Sequence, residues 1–329
     1  MKKIFAAAVA IAAFGSLGLM TGCVTPAPPE PALLTIDGSR LPPANISVSI
    51  PGLSQCTDAG DHTLTLNAQQ PVIVLVHGCF SSAGRYRGMA QVLAFHGQQT
   101  ACFNYNDRDS LLVSADQLNS ALDQLVKRME NKHITVIGHS QGALITRNAM
   151  SISKSDAIEP KEAQLRLVTV SGPFCGIAAA RHCGSALWKT LSLGLVAPIC
   201  QIVTGDKWSE ITSTSPFILK PGPLDPRVTD FLKIETNENG SCRRMNNGNC
   251  VESDAIFSLA EQRNPAVDRD PLVHIVEVKA GHVEIVGNNR IGPAKLIAIL
   301  QQHAVIKPTK PEQKEKFGML LTRLFGNAE

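Results

Sequence analysis

The stretch that most constrains this chain is His133-Ile134-Thr135-Val136-Ile137, followed without a break by Gly138-His139-Ser140-Gln141-Gly142. A β-branched run of this kind reads as a strand buried on both faces, as in a parallel sheet. Ala143 to Ser151 then reads as a helix, so the Gly-x-Ser-x-Gly string falls between a strand and a helix. The string alone is weak, since average glycine and serine usage produces it by chance in roughly one chain in ten of this size. Its placement is what gives it meaning. Two glycines permit a sharp turn with strained backbone at Ser140, so that the hydroxyl projects from the sheet edge at the N-terminus of the following helix. Ser140 is the candidate nucleophile.

The same grammar recurs along the chain. Pro71 to Val76 is an apolar run ending at His77-Gly78, Gln99 to Asn104 is a second strand, and Arg85 to Gly97 between them has helical spacing. Asp109 to Met129 carries a helical stripe at Leu111, Leu112, Ala115, Leu118, Leu122, Leu125 and Val126. Gln164 to Val170 is a strand closing at Ser171-Gly172-Pro173; Phe231 to Thr236 and Leu272 to Val278 are later strands, and Gly292 to His303 is a helix. This alternation implies an α/β fold, a doubly wound and mostly parallel sheet. Residues 176–210 interrupt it with an apolar insertion, Ala186-Leu187-Trp188 and Leu191 to Val203, long enough for two short helices. Core packing and a lid over an acyl pocket are both open for it.

With 329 residues, 44% hydrophobic and 18% charged, the chain can bury one substantial core. Lys2 and Lys3 account for two of its three net positive charges, leaving about one on the remainder, which offers no electrostatic case for nucleic acid. Met1-Lys2-Lys3, an apolar run from Ile4 to Met20, and Thr21-Gly22-Cys23 have the order of an export signal, too short for a stable membrane span. Leu19 to Cys23 resembles the lipobox of bacterial lipoproteins, which implies removal of residues 1–22 and acylation of Cys23; an ordinary cleaved signal is the alternative. Val24 rather than Asp after Cys23 is similar to the state that lets Gram-negative lipoproteins reach the outer membrane. Residues 23–45 are rich in Pro and Ala and read as a tether, 46–305 as the folded domain, and 306–329 as a basic tail with an amphipathic stretch from Phe317 to Phe325. Eight cysteines remain after Cys23, and in an exported chain disulfides are expected, with Cys175 to Cys183 and Cys242 to Cys250 spaced as local staples. Paired metal-ligand spacings are absent, so neither a metal nor another cofactor is expected.

Four segments carry a family likeness: Val74-Leu75-Val76-His77-Gly78, Gly138 to Gly142, Ser213 to Phe217, and Gly281-His282-Val283. Over roughly Gln69 to Leu300 the chain resembles the lipases and esterases of the α/β-hydrolase fold. The resemblance implies oxyanion donors at the backbone N–H groups of Cys79 and Gln141, with the Cys79 thiol free for a disulfide. The base is expected late in the chain, and His282 follows a strand and a glycine at the carboxyl edge, whereas His274 reads as a core residue and His303 lies in the last helix. For the acid, Glu238 has the right offset after its strand, Asp254 and Glu252 compete, and Glu235 is expected to face along the strand. The expected chemistry is ester hydrolysis through an acyl-enzyme, with lipase over small-ester esterase. An acyltransferase or phospholipase using Ser140, and a non-catalytic lipoprotein that keeps the fold for binding, are the alternatives.

Overall fold

The computed structural model describes residues 36–151, 163–177, 206–288 and 291–326. Its centre is a seven-stranded sheet in the order β11-β8-β7-β6-β4-β5-β2, comprising Val273–Lys279 (β11), Val228–Asn237 (β8), Gln164–Val170 (β7), His133–His139 (β6), Val72–Val76 (β4), Gln99–Phe103 (β5) and Leu53–Ser54 (β2). Every neighbouring pair is parallel except β2 with β5, so this is a doubly wound α/β-hydrolase sheet with one antiparallel edge. Two antiparallel pairs stand apart, Ile46–Val48 (β1) with Leu64–Leu66 (β3), and the hairpin of Cys242–Asn246 (β9) with Asn249–Ser253 (β10).

All five residues of β4 are buried, as its uninterrupted apolar sequence demands of a strand covered by helices on both faces. The chain runs outward from β4 to β5 and then returns to place β6 on the other side of β4, pairing Val76 with Gly138. Such a reversal opens a crevice at the carboxyl ends of the strands. The loop beginning His77-Gly78-Cys79 and the turn at Ser140 leave the sheet side by side there.

Helices Arg87–Phe95 (α1), Leu111–Arg128 (α2) and Gln141–Ala149 (α3) follow β4, β5 and β6. In α2 the buried positions are Leu111, Ser114, Ala115, Leu118, Ala121, Leu122, Leu125 and Val126, a face of helical period. Leu112, expected in that stripe, is instead 41% exposed, because it lies off the face that Leu111 and Ala115 define. The Ser110 hydroxyl accepts from Val113 N–H to cap the start of α2, and Lys127 and Arg128 stand favourably in its last turn.

The packed region exceeds the expected 46–305 at both ends. Asp37 N–H donates to Gln91 Oε1, and the Arg40 guanidinium lies over the Phe95 ring at 3.7 Å, so residues before Ile46 already pack on α1. Beyond Ala294–Gln302 (α4), the stretch read as a tail is the helix Lys314–Phe325 (α5), which buries Leu320, Leu324 and Phe325. Phe325 presses on Gly88, where an added Cβ would stand 2.9 Å from its ring, and Phe317 meets Phe95 at a centroid distance of 5.1 Å.

Disulfides join Cys56 to Cys102 and Cys242 to Cys250. The expected Cys175–Cys183 staple is not formed, since Cys175 is a free, exposed thiol, and Cys79 is likewise free. Cys183 and most of the 176–210 insertion, with its expected helices, lie outside the described residues, as do the export signal and Cys23. His274 is not a core residue: β11 is an edge strand, and the His274 side chain is largely exposed, 3.8 Å from Asp230.

Candidate active site

The turn between β6 and α3 holds Ser140 at φ 57°, in the left-handed region that a non-glycine residue occupies only under constraint. The flanking glycines are needed for space, not for positive φ. A Cβ on Gly138 would collide with the Gly142 carbonyl, and one on Gly142 would stand 2.5 Å from the carbonyl oxygens of Val76 and His77. The strain sits on the serine itself, and Ser140 N–H donating to Val170 O (2.9 Å) helps to hold it.

Ser140 Oγ is 3.0 Å from His282 Nε2, and the other ring nitrogen, Nδ1, is 2.9 Å from Glu238 Oε1. All three residues are buried. Glu238 stands one residue past β8, where Oε1 also accepts from the hydroxyls of Thr236 (2.9 Å) and Ser171 (2.7 Å), while Oε2 accepts from the backbone N–H groups of Ile256 (2.6 Å) and Phe257 (2.8 Å). Burial by itself would raise the pKa of this carboxyl; the hydrogen bond and charge of His282, the Phe257 N–H and the Ser171 hydroxyl outweigh it and bring it down to about 2. Glu238 is thus an ionised acceptor that fixes Nδ1–H toward itself and leaves Nε2 to face Ser140.

Asp254 does different work. Its carboxylate accepts from Val283 N–H (3.0 Å) and Glu284 N–H (3.0 Å), its carbonyl accepts from His282 N–H (2.9 Å), and Arg243 pairs with it at 2.7 Å. It anchors the backbone of the loop that bears His282 and makes no bond to the ring. Glu252 lies on the exposed β9–β10 hairpin, 3.7 Å from Arg243 and Arg244. Glu235 is buried with Lys233 (2.7 Å) and Arg263 (2.7 Å).

His139 and His77 also serve the site. Burial, reinforced by the neighbouring His282 charge, takes the His139 pKa down to about 3, so it is neutral, and its Nε2–H donates to the His282 carbonyl at 3.0 Å. The His77 ring stacks on Tyr105 at 4.3 Å, and the Tyr105 hydroxyl donates to the His77 carbonyl (2.6 Å), which stiffens the loop leading to Cys79. Gly78 faces the nucleophile so closely that an added Cβ would stand 2.9 Å from Ser140 Cβ. Gln141 is the first residue of α3, where backbone N–H groups have no partner within the helix.

Two participants were not singled out from sequence. Ser171, at φ 51° just past β7, is fully buried, with Oγ 3.0 Å from His282 Nδ1. It lies on the acid's side of the ring, where it can donate to Glu238 but cannot exchange a proton with Nε2. Its position at the carboxyl end of the strand beside β6 was a usable signal once strand order was known. Lys207, buried near Cys79 and Gln141, had no comparable signal, since it lies at the end of the 176–210 insertion.

Among the described residues no group of three His, Cys, Asp or Glu side chains could hold a metal ion. A small cavity lined by Leu144, Arg147, Phe174 and Phe217 contains none of the triad residues. What the buried serine, imidazole and carboxylate can do together is transfer an acyl group through the serine: the arrangement is a Ser-His-acid triad for ester hydrolysis.

A family model described as palmitoyl protein thioesterase matches residues 71–217, which takes in β4, the Ser140 turn and β7 and ends before Glu238 and His282. No curated protein matches the chain. Similar solved structures include the mature Bacillus licheniformis lipase BlEst2, at 14% identity and TM-score 0.45, covering 77% of this chain and 97% of that one. The Pyrococcus furiosus esterase Pf2001 has 17% identity and TM-score 0.42 over 80% of this chain and 87% of its own. The Paleococcus ferrophilus monoacylglycerol lipase has 13% identity and TM-score 0.44 over 72% and 96%.

Proposed function

We propose that this serine hydrolase acts through Ser140 as nucleophile on carboxylic esters with an apolar acyl chain, and that it does so as an exported, lipid-anchored protein. The observation that carries the reading is the unbroken path from Ser140 Oγ through the His282 ring to Glu238, at 3.0 and 2.9 Å. His282 Nε2 takes the Ser140 proton as Oγ attacks the ester carbonyl. The tetrahedral oxyanion rests on the N–H groups of Cys79 and Gln141, and Glu238 stabilises the imidazolium. His282 then gives the proton to the departing alcohol, and water repeats the sequence to release the acid and regenerate Ser140. Phe80, 76% exposed and adjacent to Cys79, supports an apolar substrate, as does the apolar sequence from Leu187 to Val203.

A fluorophosphonate probe tests the nucleophile. It should label the wild type and not Ser140→Ala; failure to label the oxidised wild-type protein would also remove every acyl-enzyme reading, leaving the non-catalytic binding module. An acyl-chain series on the form beginning at Thr25 should show long-chain esters cleaved at least as well as acetyl or butyryl esters. Product analysis separates hydrolysis from transfer to another acceptor and from phospholipid cleavage. A thioester substrate is a second reading, favoured by the match of residues 71–217 to the thioesterase family model. Equal acyl chains on oxygen and sulfur leaving groups discriminate the two by kcat/KM.

Anchoring rests on Leu19 to Cys23 and on the composition after it, and export is supported by the disulfides Cys56–Cys102 and Cys242–Cys250, which need an oxidising compartment. With the Val24 reading, the proposed destination is a Gram-negative outer membrane. Labelled fatty acid should enter the wild type and not Cys23→Ser.

A further inference from the structure

The two residues proposed as oxyanion donors, Cys79 and Gln141, are tied together by one side chain outside the triad. Lys207 lies in the single helical turn Asp206–Ser209 and is 3% exposed. Its ammonium donates to Gln141 Oε1 at 2.6 Å, approaches Cys79 Sγ at 3.1 Å, and donates to the Asp107 carbonyl. Gln141 Nε2 donates to that same carbonyl at 3.1 Å, closing a ring of contacts among the loops after β4 and β5 and the start of α3. The turn carrying Lys207 is itself fastened down, because the Glu210 carboxylate accepts from the Ser110 hydroxyl at 2.6 Å and from Leu111 N–H at 2.5 Å.

An ammonium has three donors and here meets three acceptors, so its hydrogen bonding is satisfied. Its charge is not paired directly. Among the described residues Lys207 forms no ion pair, and the Asp107 carboxylate is engaged with the Cys79 thiol and the Phe80 N–H instead. A buried cation held by neutral acceptors in place of a direct ion pair is costly, and such a cost is expected where the charge has a task. The task available is negative charge that arises only during the reaction. An oxyanion held by Cys79 and Gln141 N–H groups would form next to the two residues this ammonium grips.

We infer that Lys207 is the positioning residue of the oxyanion site, fixing Cys79 and Gln141 in one geometry and placing a permanent positive charge behind both donors. The inference rests on the assignment of Ser140 as nucleophile with Cys79 and Gln141 as its donors. Lys207 acts through those residues and need not touch substrate. Losing one donor of such a site slows catalysis by about 10²–10³-fold. Lys207→Met is therefore expected to lower kcat by about 10²-fold with KM changed less than about threefold.

The closing experiment pairs kinetics with a trifluoromethyl ketone on the full mature chain. Ser140 Oγ adds to the ketone carbon, the proton passes to His282, and the carbonyl oxygen becomes the hemiketal oxyanion, whereas the matching trifluoromethyl carbinol can form no adduct. In Lys207→Met the ketone should bind about 10²-fold more weakly, in step with the fall in kcat/KM, while carbinol binding stays the same. Lys207→Gln, which retains a donor without the charge, is the second variant should Met fail to fold, and it should show the same split. Ketone affinity and kcat within about threefold of wild type in the folded variant would overturn the proposal. So would an equal loss of ketone and carbinol binding with a lower Tm, which marks a packing role. Wild-type protein that binds no ketone overturns the Ser140 reading beneath it, an outcome distinct from either.

Discussion

Replacing Glu238 with glutamine isolates what a single charge does in this site. The carboxylate receives five hydrogen bonds: His282 Nδ1–H, the Thr236 hydroxyl and the Ser171 hydroxyl on Oε1, and the backbone N–H groups of Ile256 and Phe257 on Oε2. Glutamine must put its NH₂ at one of these positions. At Oε2 it would face two backbone donors that cannot turn away, so the NH₂ goes to Oε1, where the two hydroxyls can rotate to accept from it. There it also faces Nδ1, which must then give up its proton and accept. The proton moves to Nε2, and His282 presents a donor to Ser140 in place of the base. A triad locked in the wrong tautomer loses about 10⁴ in kcat, or about 5.4 kcal/mol of transition-state stabilisation at 1.36 kcal/mol per factor of ten. KM should change little, since Glu238 is buried behind His282. The assay is steady-state hydrolysis of a chromogenic ester, with circular dichroism to establish folding. A fall of less than tenfold would refute the tautomer argument, and Asp254→Asn matching the loss while Glu238→Gln stays active would hand the acid's role to Asp254.

Stability should fall with acid in two overlapping steps. His139 has its pKa lowered from 6.5 to about 3, so the unfolded chain takes up a proton that the native state refuses, and stability declines as pH falls from about 6.5 toward 3. Glu238, lowered from 4.5 to about 2, contributes about 3 kcal/mol present above pH 4.5 and lost as pH falls toward 2; chemical denaturation at stepped pH should show that increment missing in Glu238→Gln. In Gly281→Ala the new Cβ would stand 2.6 Å from Asp254 Cγ, and Asp254 is pinned by Val283 and Glu284 N–H groups, so the His282 loop has to shift. Ester hydrolysis should drop by about tenfold or more, and unchanged kcat would mean that Asp254 yields instead. Phe325→Ala should cost about 3 kcal/mol in urea unfolding with the specific activity of the folded protein preserved, because the ring packs on Gly88 of α1, away from Ser140; a loss under about 1 kcal/mol would return α5 to the status of a tail.

The central strands of this protein were legible because a strand buried on both faces of a parallel sheet is apolar along much of its length. Gln164 to Val170 was read with its observed ends, and β4, β5, β6 and β8 fell within a few residues of theirs. Edge and surface elements were harder. β11 was legible as a strand but not as an edge, so His274 read as core, and α5 read as a basic tail because sequence does not say that Phe325 finds Gly88. The cysteine pairing followed the same division. The eight-residue spacing of Cys242 and Cys250 is a hairpin's own geometry, while Cys56 and Cys102 are brought together only by the pairing of β2 with β5.

By itself the sequence determined that Ser140 sits on a turn between a buried strand and a helix, and that a histidine waits behind a glycine at 282, because both depend on residues adjacent in the chain. Only the tertiary structure decided between Glu238 and Asp254. Both are buried carboxylates beside the same loop, and they differ in whether a ring nitrogen or backbone N–H groups face them. The same is true of Lys207, whose three acceptors lie 66, 100 and 128 residues away. Sequence patterning records which side chains leave water; which donor a buried charge meets is set by how strands from distant parts of the chain are ordered in the sheet.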